Sequence, residues 1–255
     1  MKKISLIFTL ALLVLLTFGC GAKDKESTTE SGTKKDTLRI AVTEASPPMS
    51  YVNKDGDLVG FDVDYSKEIG KRLGREVEII STAWEGILPG LLADKYDLIV
   101  GSMAITDERK KSVNFTDPYY ISGAAIIVHE SNDSIHIPED LEGKSVGVTL
   151  GTTYEEEVNN LGANAKTYNT ETDQLTDLEN KRIEAMVTDK FIGAFTITES
   201  NRPLRLIDQL LYEEELGIAI RQGEEDLLKE VNEVIKEIYD DGTYEELAMK
   251  HFGTK

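Results

Sequence analysis

The stretch "GFDVDYSKEIGKRLG", residues 60 to 74, decides how the chain folds, because it has the pattern of an amphipathic helix with a marked end. Val63, Ile69 and Leu73 fall on the side that would face inward. Gly74 follows the last of them, and glycine commonly stands just past the end of a helix. The apolar run "VEII", residues 77 to 80, comes next and is typical of a strand. The pattern therefore predicts a helix that leads into a strand.

The sequence on both sides of this helix repeats the same alternation. Upstream, "LRIAV" (38–42) predicts a strand, and Asp55-Gly56 between two alternating runs predicts a β-hairpin. Downstream, "WEGILPGLLADK" (84–95) predicts a helix and "YDLIV" (96–100) predicts a strand. Strands separated by helices indicate a parallel sheet, in which ligands bind beyond the carboxyl ends of the strands.

The alternation continues through the second half of the chain. Strands are predicted at "AAIIVH" (124–129), "KSVGVT" (144–149), "EAMVT" (184–188) and "LGIAIR" (216–221). Helices are predicted at 153–162, 172–180 and 190–200, from Glu224 onward, and at 243–253. Two successive α/β units predict two lobes with a cleft between them.

The net charge and the positions of the histidines argue against several classes of function. The 255 residues carry 47 acidic and 28 basic side chains, a formal net charge of -19, so nucleic acid is a poor partner for most of the surface. The histidines, His129, His136 and His251, are scattered and indicate neither a metal site nor a catalytic triad. The sequence predicts no catalytic residues, no metal and no cofactor.

The first residues have the pattern of a targeting segment. Lys2 and Lys3 precede a short apolar run, which predicts a signal peptide over residues 1–19. Cys20, the single cysteine, follows a small residue and resembles a bacterial lipobox in which the cysteine is lipidated, although Thr17 replaces the usual leucine. Plain secretion and an uncleaved anchor are the alternatives. The polar residues 20–37 predict a flexible tether.

Arg109 raises a separate question. In "TDERKK" (106–111), Thr106 is a suitable cap for a helix that begins at Asp107 and Glu108, whose charges suit the positive end of the helix dipole. An arginine at that end does not. Either Arg109 is a solvated surface charge, or it turns away to meet an anion that is not part of the chain.

The chain resembles the polar amino acid family of solute-binding proteins of bacterial ABC importers. The resemblance rests on residues 60–74 and on "SMAITDERKKSVNFTDPYY" (102–120), "LEGKSVGVTLGTTYEEE" (141–157), "AMVTDKF" (185–191) and "DDGTYEELAMKHFG" (240–253). It implies a two-lobed α/β fold of the type II periplasmic-binding-protein class. Each lobe would hold a mixed, mainly parallel sheet flanked by helices, with two hinge strands between the lobes. The implied boundaries are 38–122 and 218–255 for lobe one and 126–214 for lobe two.

The resemblance also implies how the polar head of an amino acid is bound. Arg109 would bind the α-carboxylate, because its planar fork makes two parallel charge-assisted hydrogen bonds. Thr152 or Thr153 would cap a helix whose free amides also face the anion, with Glu155 or Glu156 closing a capping box. Asp189 would bind the amine, unless it is only a helix cap. The main-chain carbonyls of Gly101 and Ser102 would share that amine.

The remaining candidates concern specificity. Ala104 replaces the usual hydroxyl residue of the family and removes one head-group partner. Trp84, the single tryptophan, would pack against the ligand, or belong to the core. Glu44, together with Glu85, would face the distal end of the ligand, where the family's aromatic residue before the double proline is missing. Thr149 lines lobe two and is too small to discriminate.

These features predict a membrane-tethered, monomeric binding component of an ABC importer, lipid-anchored on the extracytoplasmic face of the cell membrane. Two carboxylates beside a tryptophan favour arginine or lysine as ligand, with glutamine next. The partners would be this ligand and the transmembrane permease. The alternatives are an enzyme resembling cyclohexadienyl dehydratase on the same fold, and a stand-alone amino acid sensor.

Overall fold

A computed structural model describes residues 37–200 and 202–253. The predicted signal peptide, Cys20 and all of the predicted tether except Thr37 lie outside the described residues. Within them, no helix is long and apolar enough to cross a membrane.

The first half of the described chain alternates strands and helices. Its elements are β1 (Thr37–Thr43), β2 (Ala45–Ser46), β3 (Ser50–Val52), β4 (Leu58–Val59), α1 (Phe61–Leu73), β5 (Glu76–Thr82), α2 (Trp84–Leu92), β6 (Leu98–Ala104), α3 (Asp107–Lys110) and β7 (Val113–His129). The predicted helix end is confirmed, because Gly74 adopts the left-handed conformation, with φ of 63°, directly after α1. The predicted hairpin is also confirmed, since β3 and β4 pair antiparallel around the turn at Asp55-Gly56.

The second half follows the same scheme. After a 3₁₀ turn (Pro138–Leu141) come β8 (Ser145–Thr149), α4 (Thr153–Asn160), β9 (Asn164–Tyr168), α5 (Glu171–Glu179), β10 (Ala185–Asp189), α6 (Lys190–Ser200), β11 (Leu204–Leu206), β12 (Tyr212–Arg221), α7 (Glu225–Asp240) and α8 (Thr243–Phe252). The sequence reading omitted β9 and β11 and recognised only the last third of β7.

One mixed sheet connects the two halves. Its strand order is β5-β1-β6-β12-β7-β10-β8-β9, with β11 paired to β7. The outer strands on each side run parallel to their neighbours, whereas β12 is antiparallel to β6 and β7, and β10 is antiparallel to β7. The predicted lobe boundaries leave two short connections between the lobes, residues 123–125 and 215–217. These connections fall within β7 and β12. The lobe boundaries themselves stay a prediction.

Buried apolar side chains form separate clusters on the two sides of β7 and β12. One cluster joins α1 to α7, through residues such as Ile69 and Val231, so it combines early and late parts of the chain. Another lies among β8, β10 and α4 and includes Val146, Val158 and Val187. Burial of such side chains is the main favourable term in folding. Each half of the sheet, on either side of β7 and β12, therefore has its own core. The carboxyl ends of the parallel strands are not covered by these cores and can line a cleft.

Candidate functional site

A cleft with an empty volume of about 1060 Å³, including the part open to solvent, lies at the carboxyl ends of the parallel strands. All the residues that the sequence analysis assigned to the ligand line this cleft: Glu44, Trp84, Gly101, Ser102, Ala104, Arg109, Thr149, Thr152, Thr153 and Asp189. Glu85 lines it as well. The structure thus brings the candidates together, and their roles toward a ligand stay a prediction.

The guanidinium of Arg109 is fixed by main-chain carbonyls from two parts of the cleft. Its Nη1 donates to the carbonyl oxygen of Ala104 at 2.8 Å, and its Nη2 donates to that of Gly151 at 3.3 Å. Thr106 caps α3 as expected, because its hydroxyl accepts from the backbone N–H of Arg109 at 3.1 Å. Burial lowers the pKa of Arg109, and Glu214 opposes the shift. Arg109 is therefore an oriented, partly desolvated cation and not a freely solvated one.

Trp84 packs on this arginine. The guanidinium carbon lies 5.3 Å from the centre of the indole ring, within the range of a cation–π contact. The sequence analysis placed Trp84 against a ligand or in the core and did not foresee that it would support Arg109. Because Trp84 also lines the cleft, it contributes both to the position of the arginine and to the cleft wall.

The capping prediction for α4 is wrong in its details. The hydroxyl of Thr152 is not a cap, because it donates to the carbonyl oxygen of Thr149 at 2.7 Å. Glu155 reaches back to the backbone N–H of Gly151, at 3.0 Å, one residue earlier than a capping box would place it. The first-turn amides of a helix have no partner inside the helix, so those of Thr153 and Tyr154 remain donors beside the cleft.

One carboxylate oxygen of Asp189 accepts hydrogen bonds, and the other accepts none among the described residues. It ends β10, and its Oδ1 accepts from the backbone N–H groups of Phe191 at 2.7 Å and Ile192 at 3.3 Å, so it does cap α6. The side chain is buried, with 2% of the residue exposed, yet Oδ2 has no hydrogen-bond partner among the described residues. Burial raises the pKa of Asp189. A buried acceptor without a partner is costly, and a donor entering the cleft would relieve that cost.

Gly101 and Ser102 lie where the sheet ladder is interrupted. The pairing of β6 with β12 shifts between Met103 and Ile99, and β1 pairs with β6 no further than Ile99. Ser102 has φ of 53°, a strained value for a serine. This part of the strand is therefore free of regular pairing at the cleft wall.

A buried carboxylate that the sequence analysis missed holds Ser102 in place. Asp62 is fully buried and accepts from Ser102 Oγ at 3.1 Å and from Tyr119 Oη at 2.7 Å. Tyr119 Oη in turn accepts from the backbone N–H of Ser102 at 2.9 Å. Burial raises the pKa of Asp62 to about 7, and the hydrogen bonds from Tyr119 and Ser102 oppose the shift.

Glu214 is a second missed carboxylate. It lies on the hinge strand β12, lines the cleft, and accepts from Tyr154 Oη at 2.7 Å and from Thr153 Oγ1 at 3.4 Å. Burial raises its pKa to about 7, helped by the charge of Asp189 and opposed by that of Arg109. In the sequence it stands within "EEE" and resembles a solvated charge run. The buried face of β12, with Leu216, Ile218 and Ile220, has a period of two that includes position 214, and this signal could have identified it.

Glu171 is the third carboxylate of the cleft that was not recognised from the sequence. It begins α5, lines the cleft and accepts a hydrogen bond from the hydroxyl of Thr188. Burial raises the pKa of Glu171 to about 7, and the charge of Asp189 adds to the shift. No feature of its polar sequence context distinguished it from its neighbours. Within residues 37–200 and 202–253, no group of His, Cys, Asp and Glu side chains has the arrangement of a metal site.

The fold and the site define a class: a two-lobed α/β protein with a cleft that presents one oriented cation and several buried carboxyls. Residues 38–254 match the model of the bacterial extracellular solute-binding proteins, family 3, and the chain belongs to that family. It is 37% identical over 223 residues to the L-cystine-binding protein TcyJ of Escherichia coli (strain K12), over 86% of this chain and 84% of the relative. It is 30% identical to the ABC transporter arginine-binding protein 1 of the same organism, over 99% of each.

Solved structures confirm the fold class. An ancestral arginine-binding protein bound to glutamine superposes with a TM-score of 0.81 at 38% identity, over 86% of this chain and 99% of that one. The arginine-bound form gives 0.80 at 39% identity with the same coverage. An ancestral amino acid-binding protein, described as a precursor of cyclohexadienyl dehydratase, gives 0.79 at 36% identity, over 85% of this chain and 96% of that one. The chain is thus similar to solute-binding proteins, one of which preceded an enzyme.

Proposed function

We propose that this protein is the substrate-binding component of an ABC importer for a polar amino acid. A ligand with a cationic side chain, arginine or lysine, is the first choice, and glutamine, whose side chain is neutral, is the next. The α-carboxylate would pair with Arg109 and the amides at the start of α4. The α-ammonium would bind Oδ2 of Asp189 and the carbonyls of Gly101 and Ser102. Both head-group charges then meet oriented partners of opposite sign, the condition for strong charge-assisted hydrogen bonds.

The observation that supports a ligand with a cationic side chain is the excess of acidic residues in the cleft lining. It contains Glu44, Glu85, Glu171, Asp189 and Glu214 against a single basic residue, Arg109. A zwitterionic head group uses Arg109 and Asp189 and adds no net charge. The remaining carboxyls favour a ligand that brings another positive group. Glu44 and Glu85 are exposed and would act through water, so the buried members matter more.

Cystine is the second candidate, because of the similarity to the cystine-binding protein. It would bring two ammonium groups, which suit the carboxyls, but also two carboxylates. Arg109 is the one basic side chain among the described residues that line the cleft, so the second carboxylate would depend on main-chain amides. Arginine avoids this difficulty, because its single carboxylate needs a single cation. A dehydratase function is less consistent with the cleft, because Arg109 and Asp189 together fit a zwitterion that is bound and released.

Delivery to a permease requires reversible closure. Ligand contacts from both sides of β7 and β12 would favour the closed state, and the difference in affinity between the states shifts the population. Lipidation of Cys20, tethering to the extracytoplasmic face of the cell membrane and a monomeric state complete the proposal. Cys20 lies outside the described residues, so mass spectrometry of the mature N-terminus is the appropriate measurement for that part.

A thermal-shift screen over the amino acids tests the proposal most broadly, because a ligand that binds the folded state raises the melting temperature. We expect arginine and lysine to give the largest shifts, followed by glutamine. Cystine as the strongest ligand would support the second candidate. The absence of a shift with every amino acid would overturn the proposed function.

A further inference from the structure

The carboxyl of Glu171 lies on a cleft wall formed by three adjacent parallel strands. The strand order β10-β8-β9 places Asp189, Thr149 and Tyr168 at neighbouring strand ends, and Glu171 follows the last of these strands. Parallel strands are about 4.8 Å apart, so the ends of β10 and β9 are separated by roughly two such spacings. The side chain of Glu171 crosses this distance, because it accepts from the hydroxyl of Thr188, the neighbour of Asp189.

The rest of this wall keeps Glu171 in position. Thr170 caps α5, since its hydroxyl accepts from the backbone N–H of Asp173 at 3.2 Å. Gln174, one turn further along α5, donates to Thr149 Oγ1 at 2.8 Å and has no exposed surface. The helix start that carries Glu171 is therefore attached to β8 and β10 by side-chain hydrogen bonds. The carboxyl is held against the cleft and does not project freely into water.

Neither Glu171 nor Asp189 forms an ion pair within the part of the chain that the structure describes. No lysine, arginine or histidine of the described residues forms an ion pair with either of them, and Oδ2 of Asp189 is without a hydrogen bond. Burial raises the pKa values of both, Glu171 to about 7 with a further contribution from the charge of Asp189, whereas the Ser122 hydroxyl, two backbone N–H groups and the charge of Lys190 oppose the shift of Asp189. Two adjacent carboxyls that lack a counter-charge and line a cleft indicate that the counter-charges belong to the ligand.

The other acids of the cleft are less suited to this role. Glu214 is occupied by the hydroxyls of Tyr154 and Thr153, and Arg109 partly balances its charge. Glu44 and Glu85 are exposed, so solvent screens their interaction with a ligand. Glu171 combines a fixed position, limited exposure and an oxygen, Oε2, that makes no hydrogen bond among the described residues.

We propose that Glu171 determines ligand specificity: Asp189 binds the α-ammonium, and Glu171 binds the positive group at the end of the ligand side chain. The inference rests on the proposed function, because it takes Arg109 and Asp189 as the partners of the head group. It goes further in assigning the side-chain cation to the wall of β8, β9 and β10, and not mainly to Glu44 on the opposite wall.

Calorimetric titration of the full chain with L-arginine and L-citrulline tests this assignment, because citrulline has a similar shape and a neutral side-chain end. In the unaltered protein, arginine should bind at least about tenfold more tightly than citrulline. Glu171→Gln keeps an oxygen for Thr188 and removes the charge. It should weaken arginine binding by about 10- to 100-fold, the range for a hydrogen bond to a charged group, and change citrulline binding less than about threefold.

Three further variants complete the experiment. Glu139→Gln removes the same charge from an exposed position outside the cleft lining, in the 3₁₀ turn that precedes β8, so it controls for net charge and should leave both affinities within about twofold. Glu44→Gln should reduce arginine binding less than Glu171→Gln does. Glu171→Asp keeps the charge at a shorter reach and should lie between the wild type and Glu171→Gln, which provides a second test if the glutamine variant is unstable.

The outcomes separate this inference from the proposed function. Equal weakening of arginine and citrulline in Glu171→Gln, or no change in either, would overturn the role of Glu171. A larger loss in Glu44→Gln than in Glu171→Gln would do the same. If the unaltered protein binds a neutral amino acid and not arginine or lysine, the role of Glu171 fails while amino acid binding stands. If it binds no amino acid, both fail.

Discussion

The two ends of the cleft are built in opposite ways. At the proposed anion-binding end, Arg109 is already held by the carbonyls of Ala104 and Gly151 and stacked on Trp84. At the proposed cation-binding end, Asp189 and Glu171 share one cleft wall, and neither forms an ion pair with a lysine, arginine or histidine of the described residues. The first end is oriented before a ligand arrives, whereas the second is electrostatically unsatisfied until one does.

This difference indicates how the work of binding is divided. An oriented guanidinium loses little freedom when it binds a carboxylate, so the anion-binding end contributes through preorganisation. The cation-binding end would contribute to affinity in another way, because a ligand cation reduces the electrostatic repulsion among the carboxyls there. The predictions below test each end, from the largest expected effect to the smallest.

Arg109→Ala should produce the largest change. Removing one partner of a buried charge pair costs 2–5 kcal/mol or more, so amino acid binding should weaken by about 30-fold or more in calorimetry. The melting temperature of the free protein should change little, because the lost contacts lie at the cleft. Arg109→Lys keeps the charge without the planar fork and should give an intermediate affinity. A large loss of stability with unchanged binding would assign Arg109 a structural role instead.

Asp189→Asn should weaken binding by about 10- to 100-fold by removing the charge that meets the α-ammonium. Asparagine still caps a helix well, so α6 should keep its start and the free protein should melt no lower than the wild type. Asp189→Ala removes charge and cap together and should lower the melting temperature as well. Wild-type affinity in Asp189→Asn, measured by calorimetry beside a thermal melt, would contradict this account of the cation-binding end.

Asp62→Asn should reduce affinity by roughly tenfold, an effect of the order of one hydrogen bond to a charged group. In the proposed site Asp62 would act on the ligand through Ser102, which it holds together with Tyr119, so it would be a positioning residue. Tyr119→Phe should have a similar effect. Because both act on the same serine, the double variant should lose less affinity than the sum of the single losses. Strict additivity of the binding free energies would show that the two act independently of Ser102.

The pH dependence should be distinctive in sign. Asp62, Glu171 and Glu214 have pKa values of about 7 in the folded protein, above their usual range near 4. At these three sites the folded state therefore binds more protons than the unfolded state between these values, which should lower the free energy of unfolding as pH rises from about 5 to about 7. Acids whose pKa is lowered in the folded protein, such as Asp64 and Asp241, have the opposite effect mainly below about pH 5. Arginine affinity should rise over the same interval, because ionised carboxyls bind a cation.

Denaturant unfolding and calorimetry at pH 5, 6, 7 and 8 would measure both trends. The facing groups Arg109, Asp189 and Tyr154 keep one charge state over that interval or shift in the same direction as the three acids, so the sign is unambiguous. A free protein that becomes steadily more stable from pH 5 to pH 8 would contradict the unsatisfied state of the cation-binding end.

The sequence predicted the features that depend on local chemistry. Gly74 ends α1, Asp55-Gly56 turns the hairpin and Thr106 caps α3, each through contacts within a few residues. It failed where long-range pairing decides. The residues of β9, Asn164–Tyr168, are too polar to read as a strand and gain their structure by pairing with β8.

The residues of the candidate site also fall into two groups, those recognisable from local sequence and those placed by long-range packing. Arg109 and Asp189 could be identified because each stands in a recognisable motif at a strand end. Asp62 and Glu171 could not, because a carboxylate in the sequence looks the same whether it is solvated or buried, and for Glu214 the signal was limited to the period of two along β12. Only the packing of α1, α5 and β12 around the cleft places these groups near Ser102, Thr188 and Tyr154.

A crystal structure of the protein with bound L-arginine at neutral pH tests the central claim most directly. The account predicts the α-carboxylate on the guanidinium of Arg109, the α-ammonium on Oδ2 of Asp189, and the ligand guanidinium on Glu171. A ligand whose carboxylate lies away from Arg109, or whose ammonium leaves Asp189 without a partner, would contradict it.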